Sequence, residues 1–194
     1  MLGLKLPTDP RWVNIVEKSI EDILTDHAYC EQKAASSCIS LIVGFSDKEE
    51  LVTTLCPIVS EEWGHFRMVL AELEKRGYKL GKQRKDEYVG ALLTFIKKGG
   101  DRNDQLVEKL LMNALIEARS CERFRLLSLH IEDEGLKKFY HDLMASEAGH
   151  YRTFIDLAKK YGRSEAIVME RWQEWLNFEE KLLQSWELRG DRMH

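Results

Sequence analysis

Glutamate and histidine recur one helical turn apart at two places in this chain. The first is EEWGHFRMV, with Glu62 and His65; the second is SEAGHYRTF, with Glu147 and His150. Both copies share the pattern Glu-x-Gly-His-aromatic-Arg, supplied by Gly64, Phe66 and Arg67 and again by Gly149, Tyr151 and Arg152. Of the six histidines, only these two follow a glutamate at that spacing. Residues three apart on a helix share a face, and around Glu62 and His65 that face holds Ile58, Val59, Phe66 and Val69. A buried carboxylate without a partner costs several kcal/mol or titrates to neutrality. Each pair therefore calls for a partner.

A lone glutamate precedes each pair at nearly the same distance. Glu31, in YCEQKAAS, lies on a stripe with Ile20, Ile23, Leu24, His27, Ala34, Ala35, Cys38 and Ile42. Glu117, in LIEARSCE, shares a stripe with Leu110, Ala114, Cys121, Phe124 and Ser128, whereas its competitor Glu122 lies off that stripe. Two helix pairs, each offering a Glu and then a Glu-x-x-His, suit a pseudo-twofold bundle whose six side chains converge on one midplane. Four carboxylates and two imidazoles there fit two iron or manganese ions, whose charge balances the buried acids.

The neighbouring residues carry further expectations. Gly64 and Gly149 are read as permitting close helix approach, and Arg67 and Arg152 as partners that orient the ligands. His27, one turn before Glu31, reads equally as a core histidine and as a contact to the site. Trp63 is expected in helix packing, as are Trp172, Trp175, Phe178 and Trp186 farther along. His130, His141 and His194 have no partner at ligand spacing.

Long helices must position these groups. The pattern predicts a first helix from Pro10, behind Asp9, to Val43 and a second opened by a Ser46–Glu49 capping box and closed near Gly77. Pro57 is expected to kink the second. A basic connection, YKLGKQRKDEY, leads to a short helix in YVGALLTFIKK that Gly99 and Gly100 break. A third long helix spans Asn103 to His130, a fourth Glu134 to Tyr161, and a fifth runs from beyond Ser164 to Leu188. The expectation is one all-α domain over 1–194, an up-and-down four-helix bundle with a long crossover and an added C-terminal helix.

The composition narrows the class. With 44% hydrophobic and 32% charged residues the chain reads as a soluble globular protein, and no apolar run reaches membrane-spanning length. The start, MLGLKLPTDPRW, lacks the features of a secretory signal. Cys30, Cys38, Cys56 and Cys121 show no CxxC spacing, so reduced thiols and a cytoplasmic setting are expected. A formal charge of −4 offers no general attraction to nucleic acid but leaves room for a local basic surface.

The constellation resembles the ferritin-like di-metal carboxylate proteins. More narrowly, DHAYCEQKAAS, EEWGHF, LIEARSCERFRLL and SEAGHYRTF resemble the MiaE-type tRNA hydroxylases, over most of the chain from about residue 10 to the fifth helix. The resemblance implies an O2-dependent di-iron monooxygenase acting on the isopentenyl group of the hypermodified adenosine next to the tRNA anticodon. It gives Glu62 and Glu147 the bridging positions, Glu31 and Glu117 terminal ones, and His65 and His150 one iron each. An external reductase must supply electrons, since the sequence has no flavin or ferredoxin motif.

Metal ligands do not encode a tRNA. The candidate docking segment is the crossover, where Lys82, Arg84 and Lys85 stand in a stretch with more basic than acidic residues. Two alternatives stay open: a ferritin- or rubrerythrin-like protein handling iron or peroxide, and a tRNA-binding protein without turnover.

Overall fold

The computed structural model describes residues 2–194, and among them every regular element is helical. Contacts divide the chain into two compact units. One, termed here the early unit, comprises Arg11–Lys85 and Arg189–Met193; the other, the late unit, comprises the segment up to Pro10, Asp86–Leu188 and His194.

The early unit is built on α2 (Ile20–Gly44) and α3 (Glu49–Lys75), which pack as a hairpin. Their buried positions follow helical spacing: Ile23, Leu24, His27, Ala28, Glu31, Ala35, Cys38 and Leu41 on α2, and Leu51, Leu55, Ile58, Glu62, His65, Val69 and Leu73 on α3. The first predicted helix is divided. A short α1 (Arg11–Val16) gives way to a 3-10 turn at Glu17–Ser19 before α2 begins. The expected Ser46–Glu49 capping box does not form; Lys48 precedes α3, without a side-chain cap. Helix α3 runs on through Pro57 and ends in a Schellman turn, where Gly77, at a φ of 74°, donates to Glu74 O and Tyr78 to Leu73 O, both at 2.9 Å.

Residues 189–193 return to complete this unit. Trp12 Nε1 donates to Arg189 O at 2.8 Å, and Asp26 accepts from Arg192 Nη1 at 2.9 Å and Met193 N at 2.8 Å. Gly190 is required here by close approach, because a Cβ would lie 2.5 Å from the backbone carbon of Ile15.

The late unit contains α4 (Glu87–Phe95), α5 (Arg102–His130), α6 (Glu134–Tyr161) and α7 (Glu165–Gln184). All four start on a side-chain cap: Asp86, Asp101, Asp133 and Ser164 accept from the first turn. At α5, Asp101 and Asp104 form a reciprocal capping box. Helix α5 packs against α6, α7 and α4, and is buried on most faces from Leu106 to Leu127.

Trp172 and Trp175 of α7 are buried, and Phe178 stacks on Phe95 at 4.2 Å between ring centroids. Trp186 departs from the expected packing role, because α7 stops at Gln184 and leaves it 37% exposed. Arg171 lies over Phe95 and grips Glu108 with bonds of 2.6 and 2.7 Å.

Candidate metal centre

In the early unit, α2 and α3 bring Glu31, Glu62 and His65 together in the core. One donor atom from each lies within 4.8 Å of the others. Glu62 is fully buried and Glu31 and His65 nearly so. His65 Nδ1 is 3.5 Å from both Glu31 Oε2 and Glu62 Oε2. Glu31 also accepts from His27 Nε2, 2.6 Å from its Oε1. Burial alone would raise the Glu31 carboxyl. The hydrogen bond and charge of His27, with the imidazole of His65 close by, outweigh burial and hold it well below the usual carboxylate range.

In the late unit, α5 and α6 repeat the arrangement. Glu117, Glu147 and His150 are buried, with one donor atom of each within 4.8 Å of the others. Ser146 Oγ lies 3.5 Å from His150 Nε2. The competitor Glu122 is otherwise engaged. It accepts from Thr8 N at 2.9 Å, Thr8 Oγ1 at 2.6 Å and Arg119 Nη1 at 2.9 Å.

The donor chemistry fits a metal. Each triad offers two carboxylates and one imidazole in a dry setting, a set suited to iron or manganese. The guanidinium groups in the motifs do not supply the counter-charge, because Arg67 and Arg152 are exposed. That corrects the expectation that they orient the ligands. The glycine expectation also fails: a Cβ on Gly64 or Gly149 would meet nothing within 4 Å. Trp63, expected in packing, is 48% exposed with its ring 4.9 Å from Phe66.

The thiols beside the triads are suppressed nucleophiles. Burial, with Glu62 nearby, pushes Cys38 up to about 12; burial, with Glu147 and Glu122 nearby, does the same to Cys121. Of the crossover cations, Lys82 and Lys85 are exposed. Arg84 is part-exposed and donates to Asp191 Oδ2 at 3.0 Å, Asp191 O at 2.6 Å and Asp22 O at 3.0 Å.

Sequence reasoning missed Arg119. Fully buried, it commits all five N–H groups, to Glu179 (2.7 and 3.0 Å), Glu122 (2.9 Å), Thr8 Oγ1 (3.2 Å) and Leu6 O (2.9 Å). The signal available was Glu122, an acid one turn away with no place on the metal stripe. Arg123 beside it is pulled down to about 10 by burial and by the charge of Arg119.

An all-helical chain with buried Glu, Glu and His repeated on two helix pairs defines the ferritin-like di-iron class, and the expected fold class holds. Within that class the chain belongs to the tRNA-(MS[2]IO[6]A)-hydroxylase (MiaE) family, whose model matches residues 2–194. It is 37% identical to the tRNA 2-(methylsulfanyl)-N(6)-isopentenyladenosine(37) hydroxylase of Pseudomonas putida, over 82% of this chain and 76% of that one. The protein of the same name from Salmonella typhimurium is 25% identical, over 87% and 80%. A solved structure, protein 43 with aldehyde deformylating oxygenase activity from Synechococcus, superposes with a TM-score of 0.91 at 33% identity, covering 98% of this chain and 94% of its own. Among the described residues, no helix is long and apolar enough to cross a membrane.

Proposed function

We propose that this protein hydroxylates the isopentenyl group of the hypermodified adenosine beside the tRNA anticodon, using O2 and two iron ions. Glu31, Glu62 and His65 hold one half of the metal pair, and Glu117, Glu147 and His150 the other. The observation that carries this reading is the buried Glu, Glu and His triad, present twice in a chain of the tRNA hydroxylase family.

When bound, the iron pair supplies the O2 chemistry that an unactivated C–H bond requires. The chain's own residues do the rest. Carboxylates and imidazoles set the charge and orientation of the centre, and the apolar stripes around them, such as Leu24, Ala28 and Ala35, exclude water. The balance of the reaction is one C–H bond, one O2, two electrons and two protons giving C–OH and water. The electrons come from an external reductase, and the substrate places the protein in the cytoplasm. Lys82 and Lys85 contact RNA phosphates, which position the RNA without reading its sequence.

The test is to supply reduced, iron-loaded protein with isopentenylated tRNA under 18O2 and analyse the nucleosides by mass spectrometry. The expected product is a side-chain hydroxyl carrying 18O. Oxygen from water, or no product with a competent reductase, overturns the reading. The name of the Synechococcus neighbour supports a second one, in which an aldehyde loses its formyl group. Formate released from an aldehyde, with tRNA untouched, selects that activity.

A further inference from the structure

His27 is wholly buried, one turn ahead of Glu31, and its Nε2 is 2.6 Å from Glu31 Oε1. The second oxygen of that carboxylate, Oε2, faces His65 Nδ1 at 3.5 Å. A carboxylate serving as a metal ligand is ionised and only accepts, so His27 Nε2 is the donor. The matching position in the late unit, one turn ahead of Glu117, is Asn113. Asn113 is also buried, but its Nδ2 donates to Lys109 O at 2.8 Å, along its own helix. The two triads share their ligand types and differ in the residue that stands behind the lone glutamate.

We propose that His27 is a positioning residue that holds Glu31 Oε1, leaves Oε2 as the oxygen offered to a metal, and so makes the two halves of the centre inequivalent. The proposal rests on the reading of Glu31 as a ligand. A charge-assisted bond of this length fixes both the rotation of the carboxylate and which oxygen can coordinate. Behind Glu117 the late unit places an amide in place of an imidazole, and that amide donates to the Lys109 carbonyl of its own helix. The early half therefore presents a ligand whose orientation is set before any metal arrives. Groups behind metal ligands carry about 10- to 100-fold in metal affinity.

The test compares wild type with His27→Asn, which installs the late unit's residue and is too short to reach Oε1, and with His27→Gln, whose amide nitrogen reaches close to the position of Nε2. Ferrous iron is titrated anaerobically into the whole chain, and the 57Fe-loaded forms are examined by Mössbauer spectroscopy. Wild type should bind two ions that give two distinct quadrupole doublets. His27→Asn should weaken one ion about 10- to 100-fold, move one doublet and leave the other in place, and His27→Gln should restore most of the loss.

Equal weakening of both ions, accompanied by a lower melting temperature, would assign His27 to packing and overturn the proposal. So would an unchanged pair of affinities and doublets in His27→Asn. A wild-type chain that binds fewer than two ions overturns the metal reading itself, and this proposal with it. Should His27→Asn fail to fold, Asn113→His is read instead: an imidazole placed behind Glu117 should shift only the other doublet, and an unmoved spectrum counts against the proposal.

Discussion

The late unit begins each of its four helices on a side-chain cap, whereas neither α2 nor α3 of the early unit has one. The late unit also encloses Arg119 in a fully bonded network and covers α5 with α4, α6 and α7. The early unit relies on one hairpin seam, a part-exposed Arg84 and the returning residues 189–193. Yet both bury the same Glu, Glu and His. The chemistry of a ligand set restricts residue type and spacing, while many arrangements can brace a helix pair. Repetition is therefore kept at the candidate ligands and lost around them.

The comparison breaks most visibly at the ligands. Glu62→Ala and Glu147→Ala, one from each unit, should both lower metal content and reduce turnover to background. Elemental analysis with the tRNA assay checks this, and full two-metal loading of either variant would show that the glutamate replaced is not needed as a ligand. His150→Ala should behave likewise.

The bracing should respond unequally. Arg119→Met leaves Glu122 and Glu179 as buried carboxylates without their cation, so about 3–5 kcal/mol of stability should be lost. Arg84→Met, at a site 28% exposed, should cost about 0–1 kcal/mol. Urea unfolding measures both, and equal losses would erase the contrast. At the helix starts, Ser164→Ala should cost about 1 kcal/mol through its cap to Ile167 N, whereas Ser19→Ala, which removes no cap, should stay within about 0.5 kcal/mol.

Acid should act on both units with one sign. Hydrogen bonds from Lys97 and Arg171 lower Glu174 in the late unit, and those from Arg189 chiefly lower Asp191 in the early one. A carboxyl depressed in the folded state stabilises fully above its unfolded value and loses that contribution as pH falls through the folded one. Stability from these groups should therefore be flat from pH 8 to about pH 5 and decline below about pH 4. Thermal melts across that range test it; a loss on the alkaline side would contradict the assignment.

What the sequence made legible follows helix periodicity. The six candidate ligands lie on buried stripes because a period of 3.6 residues leaves few other positions facing inward. The same geometry explains two misreadings. At about 100° per residue, Gly64 stands roughly 200° from Glu62 and Arg67 roughly 140°; both point away from the seam, as do Gly149 and Arg152. Their recurrence beside the ligands suggested a role at the site, but their phase placed them outside it. The structure gives no steric reason for either glycine.

Other features depended on partners remote in the chain. Arg84 looked like one more exposed cation in a basic run, yet its acceptors come from residues 22 and 191. Nothing in the residue types of Glu17–Ser19 marks the 3-10 turn that divides the first helix.

The returning segment 189–193 also bears on the order of events in folding. Its bonds to Trp12 and Asp26 join residues 177 and 166 positions apart. Closing so long a loop adds only logarithmically to the entropic cost, so equilibrium tolerates it. Rate is more sensitive, since distant contacts form slowly and a chain emerges from synthesis N-terminal end first. Most of the early unit, residues 11–85, is made before residues 86–188 of the late unit, yet it waits on residues 189–193 to be completed. In the interval the α2–α3 hairpin must persist with Trp12 and Asp26 still missing their partners from this segment.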